Sequence, residues 1–118
     1  MTTKDELGRL GEDLAVDYLR RHGLVVLARN WRCRDGELDV VAVDHARLVV
    51  CEVKTRSGTG FGEPAESVTP VKAARVRRVT QAWLAECPSV YGEIRFDVLA
   101  VLMPPGGLVT VAHYRAAF

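Results

Sequence analysis

A chain of 118 residues is long enough to build one real hydrophobic core and too short for two, so a single domain spanning 1–118 is expected. With 48% hydrophobic and 26% charged residues, the composition is that of an ordinary soluble globular protein. The net charge of +1 does not by itself advertise nucleic-acid binding, but Lys72, Arg75, Arg77 and Arg78 fall in a stretch with no acid between Glu66 and Glu86.

Other classes are excluded by distribution. The longest apolar runs are strand-sized, well short of the ~20 residues of a membrane span, and with the polar, acidic start Met1-Thr2-Thr3-Lys4-Asp5-Glu6 no signal peptide is expected. Cys33, Cys51 and Cys87 are odd in number, widely spaced and without a CxxC pair. They argue for a reducing cytoplasm and against zinc or a disulfide framework. His22, His45 and His113 are equally scattered, which disfavours a histidine-based catalytic centre.

Thr3 to Glu6 reads as a capping box that opens a first helix. Leu7, Leu10, Leu14 and Tyr18 recur at helical spacing, widened by Ala15 and Leu19, and Gly23 ends the helix as its C-cap. Glu12 lies at the edge of this stripe, where a glutamate is ordinarily a surface residue. Leu24 to Ala28 begins a strand that continues towards Trp31, followed by Arg32, Arg34 and the turn pair Asp35-Gly36. Arg29, Arg32 and Arg34 are candidates for phosphate contact, with Trp31 supporting them or packing on a sugar or base; a solvated edge with one structural tryptophan is the other reading.

The centre of the chain is a hairpin. Gly36 to Val43 and Leu48 to Lys54 are rich in β-branched residues and are separated by Asp44-His45-Ala46-Arg47. A turn centred between His45 and Ala46 sets Val43 opposite Leu48, Asp39 opposite Glu52 and Glu37 opposite Lys54. Directly opposed residues share a face, with β-carbons roughly 4.5–5.5 Å apart, and Glu52 and Lys54 share that face because side chains alternate. Two carboxylates and an ammonium therefore converge within otherwise apolar strands. Opposed like charges destabilise a sheet, and a divalent cation turns that repulsion into attraction. Hard oxygen ligands at this spacing suit Mg²⁺. A surface hairpin neutralised by Glu37–Lys54 and Glu52–Lys54 pairs is the alternative, because the register is inferred. With Val49, Cys51 and Val53 on its other face, the second arm should be a central strand.

Arg56 to Pro64 is glycine-rich and leaves directly from Lys54, so it is expected to fold over a substrate there. Thr69-Pro70 reads as the N-cap and first position of a second helix that runs to about Glu86, with Val76, Val79, Trp83 and Cys87 on its buried side and Pro88 as its stop. Lys72 falls within the buried arc, so it must either snorkel outward or approach the hairpin cluster; Arg75 and Arg78 lie to one flank. Ile94 to Met103 is a long strand reached by a helical crossover, hence parallel to the preceding one. Arg95 and Asp97 share a face as a structural ion pair. Pro104 to Gly107 turns the chain into a last strand, Leu108 to about Tyr114.

Asp39 followed by Glu52-x-Lys54 on the next strand resembles the PD-(D/E)xK pattern of metal-dependent nucleases. Gly11-Glu12, Asn30, Gly36-Glu37-Leu38-Asp39, Glu52-Val53-Lys54-Thr55-Arg56, Phe61-Gly62, Lys72 and Arg95-Phe96-Asp97 follow in order. Together they resemble the YraN-like family, small bacterial endonuclease-type proteins related to archaeal Holliday-junction resolvases, and the likeness runs from about Leu7 to Ala117-Phe118. Leu38 replaces the superfamily's proline, and Cys51 replaces a bulkier apolar residue on the face away from Glu52.

The resemblance implies a restriction-endonuclease-like α/β core, αβββαβ with an added C-terminal strand, and a Mg²⁺- or Mn²⁺-dependent endonuclease acting on branched or single-stranded DNA intermediates. It implies Asp39, Glu52 and the Val53 carbonyl as metal ligands, Lys54 as the catalytic lysine, and Glu12 as a supplementary ligand. Arg29, Arg32, Arg34, Arg56, Lys72, Arg75 and Arg78 would meet nucleic acid. A homodimer and a helicase or recombination partner are open expectations. A non-catalytic DNA-binding or adaptor module that kept the nuclease fold is the alternative, and a purely structural ion network is a third.

Overall fold

Five strands form one mixed sheet in the order β1-β2-β3-β4-β5, with a helix on each face. The computed structural model describes residues 3–58 and 68–118. In chain order the elements are α1 (Lys4–Arg21), β1 (Val25–Cys33), β2 (Gly36–Asp44), β3 (Arg47–Arg56), α2 (Pro70–Glu86), β4 (Glu93–Leu102) and β5 (Thr110–Tyr114). This is the expected αβββαβ succession with one strand added. The glycine-rich segment expected to cover the site lies, from residue 59 to 67, outside the described residues, and with it Phe61 and Gly62.

The helix ends follow their caps. Thr3 Oγ1 accepts from the Glu6 amide at 3.1 Å and Thr69 Oγ1 from the Lys72 amide at 3.1 Å, each satisfying one of the free amides of a first turn. Two-residue turns join β1 to β2 and β2 to β3. The second sets Val43 opposite Leu48, as its even length requires, with His45 in the left-handed region at φ 58°. The crossover through α2 returns β4 parallel to β3, in register from Arg47–Glu93 to Arg56–Leu102. β3 is therefore the central strand.

Each face has its own core. Ala15, Val16 and Leu19 of α1 pack with Val40, Ala42, Val49, Cys51, Leu99 and Val101. On the other face Val76, Val79 and Trp83 of α2 pack with Leu38, Val41, Leu48 and Val50, and Trp31 is partly buried against them. Trp31 thus packs against the α2-side core, as a structural tryptophan would.

Two helix readings are corrected. The buried line of α1 is Gly11, Ala15, Val16 and Leu19, whereas Leu10 is 46% exposed. The helix docks through Gly11, Ala15, Val16 and Leu19, with Leu14 and Tyr18 packed beside them and Leu10 left out; a Cβ on Gly11 would lie 2.0 Å from Thr55 Oγ1. Only glycine allows so close an approach of α1 to β3. Cys87, expected on the buried side of α2, is exposed because it is the C-cap, where the helix has already ended.

Asp97, wholly buried, is held more extensively than an Arg95–Asp97 pair alone. Arg95 donates twice to it at 2.8 Å, the Ala116 amide once at 3.0 Å, and His113 Nε2 once at 2.6 Å. Because a carboxylate only accepts, His113 donates through Nε2, and its Nδ1 meets the Tyr18 hydroxyl at 3.2 Å. Burial by itself would raise the Asp97 carboxyl, but the hydrogen bonds from His113, Arg95 and Ala116 hold it at about 2.

Candidate active site

The site is made by a break in β2. Along a regular strand, residues two apart share a face, yet Leu38 joins the α2-side core and Val40 the α1-side core. Between the pairs Arg29–Val40 and Trp31–Leu38 lie Asn30 and Asp39. Asn30 has φ 49°, a left-handed conformation that asparagine tolerates better than most residues. At the same level β2 parts from β3. Their pairing ends at Val40–Cys51, and Asp39 Oδ2 takes the Val53 amide at 2.9 Å. Asp39 thereby sits in the fork between the two strands.

Two clefts meet at this fork. One, of about 430 Å³, lies towards α2 and is lined by Asp39, Glu52, Val53 and Lys54 with Lys72 and Arg75. The other, of about 790 Å³, lies towards α1 and includes Arg9, Glu12, Asn30, Asp39, Val53 and Thr55. The hairpin register predicted Asp39 squarely opposite Glu52; the splay replaces that pairing with a side-chain contact across the fork. Burial, then a hydrogen bond that the protonated Glu52 gives to Asp39 and the Asp39 charge, push the Glu52 carboxyl up to about 8. Burial, then the neighbouring Lys72 ammonium, bring Lys54 down to about 8. Both directions follow from charges withdrawn from water.

The expected Glu37–Lys54 pair does not form. Glu37 lies opposite Arg32 on β1 and binds it at 3.0 Å, because β2 has already left β3 at this point. Lys72 resolves inward: its Nζ is 3.7 Å from Glu52 Oε1. Arg75 also lines the α2-side cleft, its stem crossing Gly36, where a Cβ would be 3.3 Å from Arg75 Cδ and φ is +146°. Gly36 is thus required twice, for its backbone and for its bareness.

Glu12 faces the α1-side cleft. Asn30 Nδ2 donates to its Oε1 at 2.6 Å and Arg29 at 3.4 Å. Burial, followed by the charge of Asp39, raises its carboxyl above the ordinary glutamate value. Asn30 received no role from spacing, since neither its left-handed backbone nor its reach to α1 shows in residue order; its place in the motif set was the available signal. Gly11 is explained in the same way: the close approach it permits brings Glu12 beside Asp39.

Among the arginines expected to meet nucleic acid, Arg29 is bound by Asp13 at 2.6 Å, Arg32 by Glu37, and Arg34 is exposed in the β1–β2 turn. Arg56 donates to the Thr55 carbonyl at 3.2 Å. Arg78 is exposed on α2 and does not line the cleft; Arg77 is turned away, 4.8 Å over the Phe96 ring.

The donor set can be tested against a metal. Among the described residues no group of three or more His, Cys, Asp or Glu converges closely enough to hold an ion, which disfavours zinc. Two carboxylates, Asp39 and Glu52, in an open cleft that Val53 also lines, fit the hard, water-retaining Mg²⁺ or Mn²⁺. The Glu52 carboxyl is raised first by burial and then by Asp39, and a cation would relieve the part that Asp39 contributes.

The model of the uncharacterised protein family UPF0102 matches residues 11–101. A UPF0102 protein of Frankia alni is 56% identical over 118 residues, covering 100% of this chain and 98% of its own length. One of Frankia casuarinae is 55% identical, with both chains covered in full, and one of Acidothermus cellulolyticus is 50% identical over 127 residues, covering 99% of this chain and 96% of its own. The chain belongs to the uncharacterised protein family UPF0102, the YraN family to which its motifs point.

Proposed function

We propose that the protein is a Mg²⁺- or Mn²⁺-dependent endonuclease that hydrolyses DNA phosphodiester bonds, on branched or single-stranded intermediates. The observation that carries this reading is the convergence of Asp39, Glu52, Lys54 and Lys72 in one cleft at the β2–β3 fork. Asp39 and Glu52 would hold the cation, with the Val53 carbonyl as a further oxygen. A cation there supplies Lewis-acid polarisation of a phosphoryl oxygen and eases deprotonation of a water. Lys54 orients the attacking water and stabilises charge developing on the phosphoryl oxygens. Glu12, fixed by Asn30, orients water from the opposite cleft.

Charge favours a polyanionic substrate. With Glu37 bound to Arg32, the α2-side cleft sets Lys54, Lys72 and Arg75 against Asp39 and Glu52. A divalent cation makes that balance strongly positive, which phosphates would neutralise. DNA as substrate is consistent with a cytoplasmic protein whose Cys33, Cys51 and Cys87 are all free thiols. Symmetric cutting of a four-way junction needs two such sites, so on that substrate the working unit would be a homodimer.

The test is calorimetry with Mg²⁺ and Mn²⁺ followed by a panel of forked, nicked and four-way DNA. Cation binding with cleavage of one of these supports the reading. Cation and DNA binding without cleavage leaves a non-catalytic module, and no cation binding leaves a structural ion network.

A further inference from the structure

Lys72 stands where a cation is electrostatically unwelcome. It is the third residue after the N-cap Thr69, in a first helical turn that contains no acid, and the positive end of a helix disfavours an ammonium there. Its compensation lies across the cleft, in Glu52, 3.7 Å away and only 8% exposed at its side chain. Among the described residues this is the ion pair that Glu52 makes, and it comes from α2, not from Lys54 on its own strand. The Lys72 side chain is a third exposed and hangs on a flexible four-carbon stem, so it is free to swing while Glu52 stays in the sheet.

Resting on the nuclease reading above, we propose that Lys72 is the resident counter-ion of Glu52, that it yields Glu52 to the divalent cation, and that the released ammonium then grips the substrate phosphate. Once Glu52 is shared with a cation, Lys72 is left beside Lys54 and Arg75 without the ion-pair partner it has among the described residues. A phosphate entering the cleft restores the balance. Metal and DNA therefore promote one another's binding through Lys72, and by linkage the effect is the same in both directions. Lys72 is a positioning residue: it makes the loaded cleft receptive and the empty one self-satisfied.

The experiment begins without metal. A double-mutant cycle of Lys72→Met and Glu52→Gln, read by urea unfolding in EDTA at pH 9, where Glu52 is ionised, should show a stabilising coupling between the two positions. In calorimetry without DNA at the same pH, Lys72→Met should bind Mg²⁺ about fivefold more tightly, because its competitor at Glu52 is gone. Anisotropy of a labelled forked DNA in EDTA and in Ca²⁺ then gives the gain in DNA affinity on adding cation. Wild type should show the gain, Lys72→Met should lose most of it, and Lys72→Arg should keep it. Zero coupling, Mg²⁺ affinity unchanged or weakened in Lys72→Met, or DNA affinity lowered equally with and without cation would each overturn the exchange. Wild-type protein that binds no Mg²⁺ would defeat the nuclease reading and the exchange with it, whereas the metal-free cycle would still report whether the pair exists. The two failures are thus told apart.

Discussion

Asp39 Oδ2 accepts a hydrogen bond from the backbone amide of Val53 at 2.9 Å. This bond stands where the β2–β3 ladder would otherwise continue past Val40–Cys51. It satisfies a backbone donor exposed by the splay of the strands, and fixes one carboxylate oxygen of a residue that borders both clefts. Asp39 is therefore both the plug of a strand fork and a candidate ligand, so its two roles need separate variants.

Glu52 makes cation binding and metal-free stability depend on pH. Its carboxyl is raised to about 8 in the fold, against an unfolded value near 4.3. Between these values the folded state holds the extra proton, so metal-free stability should fall as pH rises through that window. Lys54, lowered to about 8, acts in the opposite sense only above pH 8. Glu52→Gln should flatten the fall in urea titrations between pH 5 and 8. In wild type, Mg²⁺ binding near pH 6.5 should release close to one proton, measured by calorimetry in buffers of different ionisation enthalpy.

Lys54 is separable from the carboxylates. Asp39→Ala or Glu52→Ala should lose cation affinity and cleavage together. Lys54→Ala should keep or improve Mg²⁺ affinity while turnover falls on the order of 10²–10³, the usual loss for a donor to transition-state charge. Weak Mg²⁺ binding by Lys54→Ala would make the lysine an organiser of the ligands instead.

Gly11 measures the approach of α1. Gly11→Ala places a methyl 2.0 Å from Thr55 Oγ1, so the helix must shift, at about 1–3 kcal/mol. Glu12 moves with it and leaves Asn30 and Asp39. Urea unfolding should show the loss, and adding Thr55→Gly should recover much of it.

Asp97 should govern acid tolerance. Its carboxyl is depressed to about 2 from an unfolded value near 3.9. Its contribution, about 2 kcal/mol, is fully present above pH 4 and is lost as pH falls towards 2. Asp97→Asn should destabilise the protein at pH 7 and remove most of that acid dependence, seen as a shallower fall of Tm between pH 4 and 2.

The arginines of α2 should divide. Arg75 lines the cleft and Arg77 lies over Phe96. Arg75→Ala should lower the magnitude of the log–log salt slope of DNA binding by about 0.7–0.9, as for one phosphate contact. Arg77→Ala should leave that slope unchanged and cost stability instead.

Residue order alone determined the hairpin register, because an even-numbered turn between two β-branched runs admits one alternation of faces. It also determined the start of α2 at Thr69-Pro70 and the parallel return of β4, since these depend on caps and handedness, and it put Asp39 level with Glu52 and Lys54, since that follows from strand period. Tertiary structure alone decided which side of each element was used. Leu10 belongs to the apolar stripe of α1, yet it is exposed and Gly11 faces the sheet, because depth of approach depends on the smallest side chains and on Thr55 opposite. Glu37 turned to Arg32, and Asp39 entered the fork, because the left-handed backbone at Asn30 and the early end of the β2–β3 ladder shift faces by a bend that no period records. Lys72 reached Glu52 for the same kind of reason: the spacing on α2 placed it in the buried arc, but the distance from that helix to β3 chose between water and a carboxylate.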